Sequence, residues 1–183
     1  IRLSLVGSEM CIRDRYKIDS SNTKLMWKGR TYNKVSDFGE ELLNELWAGR
    51  DDQYFDDALQ NGVLSTYEEI RNPNDKKAKE ALASAEKYYR LYSNSTRDKT
   101  VQKFVVAYLL SGHKVFKFDG REFGTVDELT LYLSNTLDKN YESFEKLCFE
   151  LLGEDKKLMP QFEAWLISLG KGNEVKKWYE TLV

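Results

Sequence analysis

One pattern occurs twice in this chain of 183 residues. Leu25-Met26-Trp27-Lys28-Gly29-Arg30-Thr31-Tyr32 aligns without a gap on Phe116-Lys117-Phe118-Asp119-Gly120-Arg121-Glu122-Phe123. The match continues with Val35 on Val126, Phe38 on Leu129, Leu42 on Leu133, Asn44 on Asn135 and Leu46 on Leu137. The shared order is apolar, x, aromatic, x, Gly, Arg, x, aromatic, then an amphipathic stretch opening at a Val. A repeat constrains a fold strongly, because both copies face the same burial problem with the same residues.

The first half of the pattern reads as a β-hairpin. Asp119-Gly120 is a strong two-residue turn signal, since a type I′ turn needs positive φ at both central positions. Lys28-Gly29 is a weaker form of it. A two-residue turn sets Phe118 opposite Arg121, Phe116 opposite Phe123 and Lys117 opposite Glu122. The same register in the first copy groups Leu25, Trp27, Arg30 and Tyr32. Each hairpin thus offers an apolar face carrying one arginine that can stack on a neighbouring ring. A lone two-stranded hairpin is marginal in water, so each must lie on the helix that follows it.

The second half reads as that helix. Thr125-x-x-Glu128 is a capping box, followed by Val126, Leu129, Leu133 and Leu137 expected down one side. In the first copy Ser36 is the expected cap, with Phe38, Leu42 and Leu46 following. Further helices open at Asn140 (Phe144, Leu147, Cys148, Leu151, stopped by Gly153), at Pro160 (Phe162, Trp165, Leu166, Leu169, stopped by Gly170) and at Asn173 as cap (Val175, Trp178, Leu182). Leu64–Tyr67 aligns loosely with Phe162–Trp165. Between the copies, Ala78, Leu82, Ala85, Tyr89 and Tyr92 recur at four-three spacing in a helix over 74–93, and Val101, Phe104, Val105, Tyr108 and Leu109 mark another over 97–111.

The expected fold is therefore α+β and predominantly α-helical. It consists of two related modules, 16–70 and 113–183, each a short β-hairpin packed on a small helical cluster, joined by a two-helix segment over 71–112. Residues 1–15 fit neither period and resemble a translated sequencing adaptor, so they are read as a non-native leader. The remainder is then expected to be an accessory region of a larger bacterial protein, and the Gly-Arg hairpin followed by short helices resembles helical modules appended to bacterial multidomain proteins. That resemblance implies no site residues.

The residue inventory is poor in catalytic chemistry. His113 is the one histidine and follows Gly112 at a helix end, where the helix dipole favours a proton. Without Cys11 of the leader, Cys148 is the remaining cysteine; it falls at an apolar helical position, as a small hydrophobe rather than a nucleophile. One cysteine and one histidine make no zinc set, and two cysteines in all make no disulfide framework, so a reducing, cytoplasmic setting is expected. Asp51, Asp52, Asp56 and Asp57 lack the glycine and alternating ligands of a calcium loop and read as a solvated face. Asn94-Ser95-Thr96 matches a glycosylation sequon by chance, and Gly170-Lys171-Gly172-Asn173 is a helix connection. No apolar run approaches the ~20 residues of a membrane span. No catalytic residue, metal or cofactor is assigned.

Charge is unevenly placed although the whole chain sums to −2. Residues 37–70 hold ten acids and one base, and residues 71–117 hold eleven bases and four acids. Attraction between packed helices explains such blocks. A nucleic-acid patch formed by Lys76, Lys77, Lys79, Lys87, Arg90, Lys99 and Lys103, with Tyr88 for stacking, is the alternative. The leading expectation is a non-catalytic module that binds a protein partner or an adjacent domain of its own chain, and no membrane. Its candidate contact residues are Trp27, Arg30, Tyr32, Phe118, Arg121 and Phe123, because arginine and aromatic residues dominate interface hot spots. The competing assignment of the same six is to pack each hairpin on its helix.

Overall fold

The computed structural model describes residues 25–27, 30–50, 74–91, 96–112, 114–153 and 157–181. The leader, Lys28-Gly29, the acidic run Asp51–Asp57, Leu64–Tyr67, Asn94 and His113 lie outside the described residues, as do the side chains of Trp27 and Arg90. In chain order the elements are β1 (Leu25–Trp27), β2 (Arg30–Tyr32), α1 (Val35–Trp47), α2 (Lys76–Leu91), α3 (Thr96–Ser111), β3 (Phe116–Phe118), β4 (Arg121–Phe123), α4 (Val126–Lys139), α5 (Tyr141–Leu152), α6 (Pro160–Ser168) and α7 (Gly172–Thr181). The architecture is α+β and mostly helical, and its strands form two separate antiparallel pairs. None of these helices is long and apolar enough to cross a membrane.

Both hairpins take the register the sequence dictates. Leu25 pairs with Tyr32 and Trp27 with Arg30; Phe116 pairs with Phe123, Lys117 with Glu122 and Phe118 with Arg121. Asp119 (φ 47°) and Gly120 (φ 68°) both have the positive φ of a type I′ turn. Asp119 is the one described non-glycine residue there, and its carboxylate accepts a hydrogen bond from the Tyr132 hydroxyl of α4. That bond ties the turn to the helix, and it pushes the Tyr132 pKa up because a nearby carboxylate holds the phenol proton.

The chain forms two compact units, one of residues 1–91 with 109–112, the other of 92–108 with 113–183. The segment expected to join two modules is thus shared between them, with α2 in the first unit and most of α3 in the second. Within the first unit, Tyr32, Val35, Phe38, Leu42 and Leu43 are buried, and the Tyr32 ring meets Phe38 edge to face at 5.7 Å between centroids. Helix α1 starts at Val35 with Lys34 at the cap position and no side-chain cap. Ser36, expected to cap it, lies inside the first turn. The position aligned with Thr125 is Lys34, so the tight link from β2 sets the start of α1 where the capping box sets that of α4.

Gly39 explains how the last turn of α3 reaches α1. A Cβ at this position would stand 2.3 Å from the Ser111 nitrogen and 2.6 Å from the Leu110 carbonyl carbon. Helix therefore meets helix backbone to backbone at this point. In α2, Asp75 accepts from the Ala78 amide at 3.0 Å, and Leu82 and Ala85 of the expected stripe are buried. Helix α3 is less amphipathic than its sequence suggests, because Gln102, Val106, Ala107, Leu110 and Ser111 are buried beside the expected Val101, Phe104, Val105 and Tyr108.

In the second unit the capping box of α4 is present, Glu128 N–H donating to Thr125 Oγ1 at 3.2 Å while Glu128 Oε2 accepts from the Thr125 amide at 3.3 Å. Asn140 caps α5 through the Ser143 amide, and Pro160 opens α6. Helix α7 opens one residue before the expected cap, so Asn173 lies within it.

Replacing Gly39 by Ala tests the backbone contact. An exposed helical Gly→Ala exchange stabilises by up to ~1 kcal/mol, whereas overpacking costs about 1–3 kcal/mol. Gly39→Ala should lower the urea midpoint of the first unit, followed by circular dichroism; a raised midpoint would show that α1 and the end of α3 do not touch.

Candidate interaction site

Of the six residues expected at a contact surface, the Trp27 side chain lies outside the described residues, and the other five divide into a buried set and an exposed set. Tyr32, Phe118 and Phe123 are buried, which corrects their placement on a surface. The reason is that a short hairpin is marginal by itself and must lay its apolar face on neighbouring elements. The two arginines are exposed at the hairpin edges. Arg30 bonds Glu41 of α1, with two thirds of its side chain (66%) open to solvent. The Arg121 guanidinium sits 4.7 Å from the centroid of Tyr132, a cation–π contact with the helix rather than with a ring of its own hairpin. Each arginine thus fastens a hairpin to its helix, while Lys117 and Glu122 form an exposed cross-strand pair at 3.6 Å.

Phe116 is the centre of the second unit. Its ring lies 5.8 Å from Phe118, 5.3 Å from Phe162 and 5.2 Å from Trp165, the last nearly parallel at 20°. Trp165 Nε1 donates to the Lys114 carbonyl at 2.8 Å, and the Tyr108 hydroxyl donates to the Val115 carbonyl at 3.0 Å. Both residues leading into β3 are therefore held by buried aromatic donors, and α6 is turned with Trp165 towards the hairpin.

Helix α4 consequently works on two edges. Tyr132, which stands 5.5 Å from Phe123, faces the hairpin, and Leu129 is 3% exposed. Val126 and Leu133 point instead into a cleft of about 440 Å³, and Leu137 is 41% exposed. Val126, Leu129, Leu133 and Leu137 share one side of α4, since positions three and four apart lie on one face. The arc of apolar and aromatic residues on α4 is wider than a single seam, and that width was the signal in the sequence. Cys148, Leu151 and Leu152 of α5, Leu158, Phe162 and Leu166 of α6, and Val175 and Trp178 of α7 complete the walls. Lys171 and Glu174, paired at 3.9 Å, are the charged lining groups. Trp178 is 42% exposed. A pocket of this size and lining is suited to apolar groups.

The chemistry within reach of the cleft is limited. Burial pushes the Cys148 thiol up, keeping it protonated at neutral pH and disfavouring nucleophilic attack. Glu163 of α6, itself buried, accepts from the Tyr179 hydroxyl at 2.6 Å. Among the described residues no three His, Cys, Asp or Glu side chains stand together as metal ligands.

The bases of the alternative patch occupy separate places. Lys76, Lys77 and Lys87 are exposed on α2 and Lys79 is half-buried there, while Lys99 is exposed and Lys103 half-buried on α3. Lys76 and Lys87 lie three turns apart on one side of α2, but Glu80 shares that side. Lys77 also lines a smaller cleft of about 380 Å³ with Lys34, Ser36, Asp75 and Leu109–Gly112. There the two lysines stand near the carbonyl end of α3, where cations are favoured.

No protein-family model, no curated protein and no solved structure matches this chain.

Two measurements check the site's geometry. Leu129→Ala should cost about 2–5 kcal/mol as a core truncation, and Leu133→Ala should cost at least ~1 kcal/mol less because its side chain already borders open space; equal losses in chemical denaturation would remove the cleft. With Cys11 replaced by serine, Cys148 should react with an aromatic disulfide reagent more slowly than a cysteine peptide at pH 8. A raised thiol pKa leaves less thiolate at that pH, so the rate should rise through a higher pH window than the peptide's; a window at or below the peptide's contradicts the burial.

Proposed function

We propose that the chain is a non-catalytic protein-interaction module and that the apolar cleft of its second unit receives side chains of a partner protein or of an adjacent domain. The observation that carries this reading is the cleft itself. Val126, Leu133, Leu152, Phe162 and Leu166 line it without being fully buried, and an apolar surface left open in a folded unit marks an interaction site. Trp178 at the same cleft suits an interface anchor, since tryptophan is among the residues richest in binding energy. The exposed arginines of the hairpins do not belong to this site, for they hold the hairpins in place.

Among the described residues the lining is apolar except for Lys171 and Glu174, which supports the binding of apolar side chains. Repetition of the hairpin-and-helix pattern supports the same reading, because duplicated units enlarge a surface. The nucleic-acid alternative has one supporting observation, the basic side of α2, and Glu80 interrupts it.

Peptides displayed as amphipathic helices and selected on the full chain test the proposal. The selected peptides should carry apolar anchors, and Leu133→Arg, which places a charge in the cleft, should weaken them by tenfold or more while circular dichroism and thermal midpoint stay near the parent's. Selected peptides that ignore Leu133→Arg would remove the cleft as the site. A parallel titration with random single- and double-stranded oligonucleotides at low salt should show no saturable binding; binding that weakens steeply with salt would replace this reading with the alternative.

A further inference from the structure

Helices α4 and α5 are joined through the single residue Asn140 and pack on each other as a helical hairpin. Each carries an apolar row at positions i, i+7 and i+11, which lie on one side of a helix. On α4 the row is Val126, Leu133 and Leu137; on α5 it is Tyr141, Cys148 and Leu152. Val126, Leu133, Cys148 and Leu152 line the cleft. Leu137 and Tyr141 continue the two rows to the Asn140 corner, where they are 41% and 63% exposed. The apolar surface therefore runs on from the cleft to the corner, and from Val126 to Leu137 it measures roughly 16 Å, or three turns.

Carboxylates stand beside both rows. Asp127 and Asp138 follow Val126 and Leu137 by one position, and Glu142 follows Tyr141 in the same way. Glu145 lies within the α5 row, four residues after Tyr141 and three before Cys148. All four are exposed, and among the described residues none is in an ion pair. The other charges of the two helices are placed differently. Glu128 is held in the capping box. Lys139 stands two positions from Leu137, and Lys146 and Glu150 two from Cys148, which is the opposite side of a helix. Lys171 of the lining is paired with Glu174. Every unpaired charge bordering the two rows is thus acidic. An apolar floor with acidic borders fits a ligand that is apolar along one side and cationic along its edges, and an amphipathic helix with Lys or Arg beside its anchors has that distribution. A small apolar molecule would leave the four carboxylates without a partner, and an acidic helix would meet like charge. Resting on the reading of the cleft as an interaction site, we propose that its occupant is a basic amphipathic helix lying along α4 and α5. Its apolar side covers the two rows, and its cations stand over Asp127, Asp138, Glu142 and Glu145. Charge matching of this kind sets partner choice and encounter rate.

Two helical peptides of about four turns, with the same leucine anchors and either lysine or glutamate at every flanking position, test this on the full chain by fluorescence anisotropy. An exposed ion pair contributes up to about fivefold in affinity, so the lysine peptide should bind about tenfold or more tighter at low salt. That advantage should shrink as salt is raised. Asp138→Asn combined with Glu145→Gln should reduce it by about threefold or more, and both substitutions alter exposed side chains that the fold does not use. A lysine peptide of the same composition with its anchors scrambled should lose most of its binding. Equal affinity of the lysine and glutamate peptides, with Leu133→Arg weakening both, would overturn the basic helix and leave the cleft as an interaction site. Binding of the lysine peptide that ignores Leu133→Arg would remove the cleft and the basic helix together. The basic helix is also overturned if the scrambled peptide binds as well as the intact one, if the carboxylate variants leave the advantage untouched, or if the lysine peptide does not bind.

Discussion

Strands of three residues joined by a two-residue turn have no stability of their own in water, so the second unit rests on what holds Phe116. That ring is closed in by Phe118, Phe162 and Trp165, and the tryptophan that stacks on it also binds the main chain through the Lys114 carbonyl. Apolar burial and one directed hydrogen bond therefore act on the same three-residue stretch. Burial alone would leave the hairpin free to slide on its helix. The indole N–H fixes the position, because a misplaced strand would leave a buried donor unpaired, which costs more than the bond itself contributes. The first unit uses a different device for its own helix, the backbone contact at Gly39.

The cleft follows from this arrangement. With Trp165 committed to the hairpin, α6 brings Phe162 and Leu166 to the cleft, and α4 has Tyr132 on the hairpin and Val126 and Leu133 at the cleft. Helices α5 and α7 flank these residues without filling the space between them. The cleft leaves apolar area of these helices open to water, and covering such area is favourable. The thiol of Cys148 and the single ion pair of Lys171 with Glu174 add little directional chemistry, which suits recognition by shape and apolar area.

Much of the local structure was legible in the sequence because local rules decide it. Strand register follows from turn length, and the observed pairs of Phe116 with Phe123 and Leu25 with Tyr32 follow from a two-residue turn. The capping box at Thr125 and Glu128, the Asn140 cap and Pro160 at the start of α6 are likewise short-range. What was not legible depends on tertiary contacts. Ser36 looked like a cap because serine prefers that place, yet the β2 link starts α1 earlier. In α3 the burial of Gln102 and Ser111 falls outside the apolar positions that its spacing marks. The burial of three of the candidate contact residues, Tyr32, Phe118 and Phe123, was not legible for the same reason. Arginine and aromatic residues at a hairpin suggest an interface by composition, whereas distances show Arg121 on Tyr132 and Phe118 in the core. Only the width of the apolar arc on α4 pointed to the cleft.

The second unit holds an open apolar cleft beneath α4, and dissolved xenon read by methyl NMR probes it, since xenon settles in apolar cavities. Methyl signals of Val126, Leu133, Leu151, Leu166 and Val175 should shift saturably with xenon pressure, while those of Val105 and Val106 in α3, fully buried away from the cleft lining, should stay in place. Shifts absent from the cleft methyls, or spread evenly over all of them, would contradict the account.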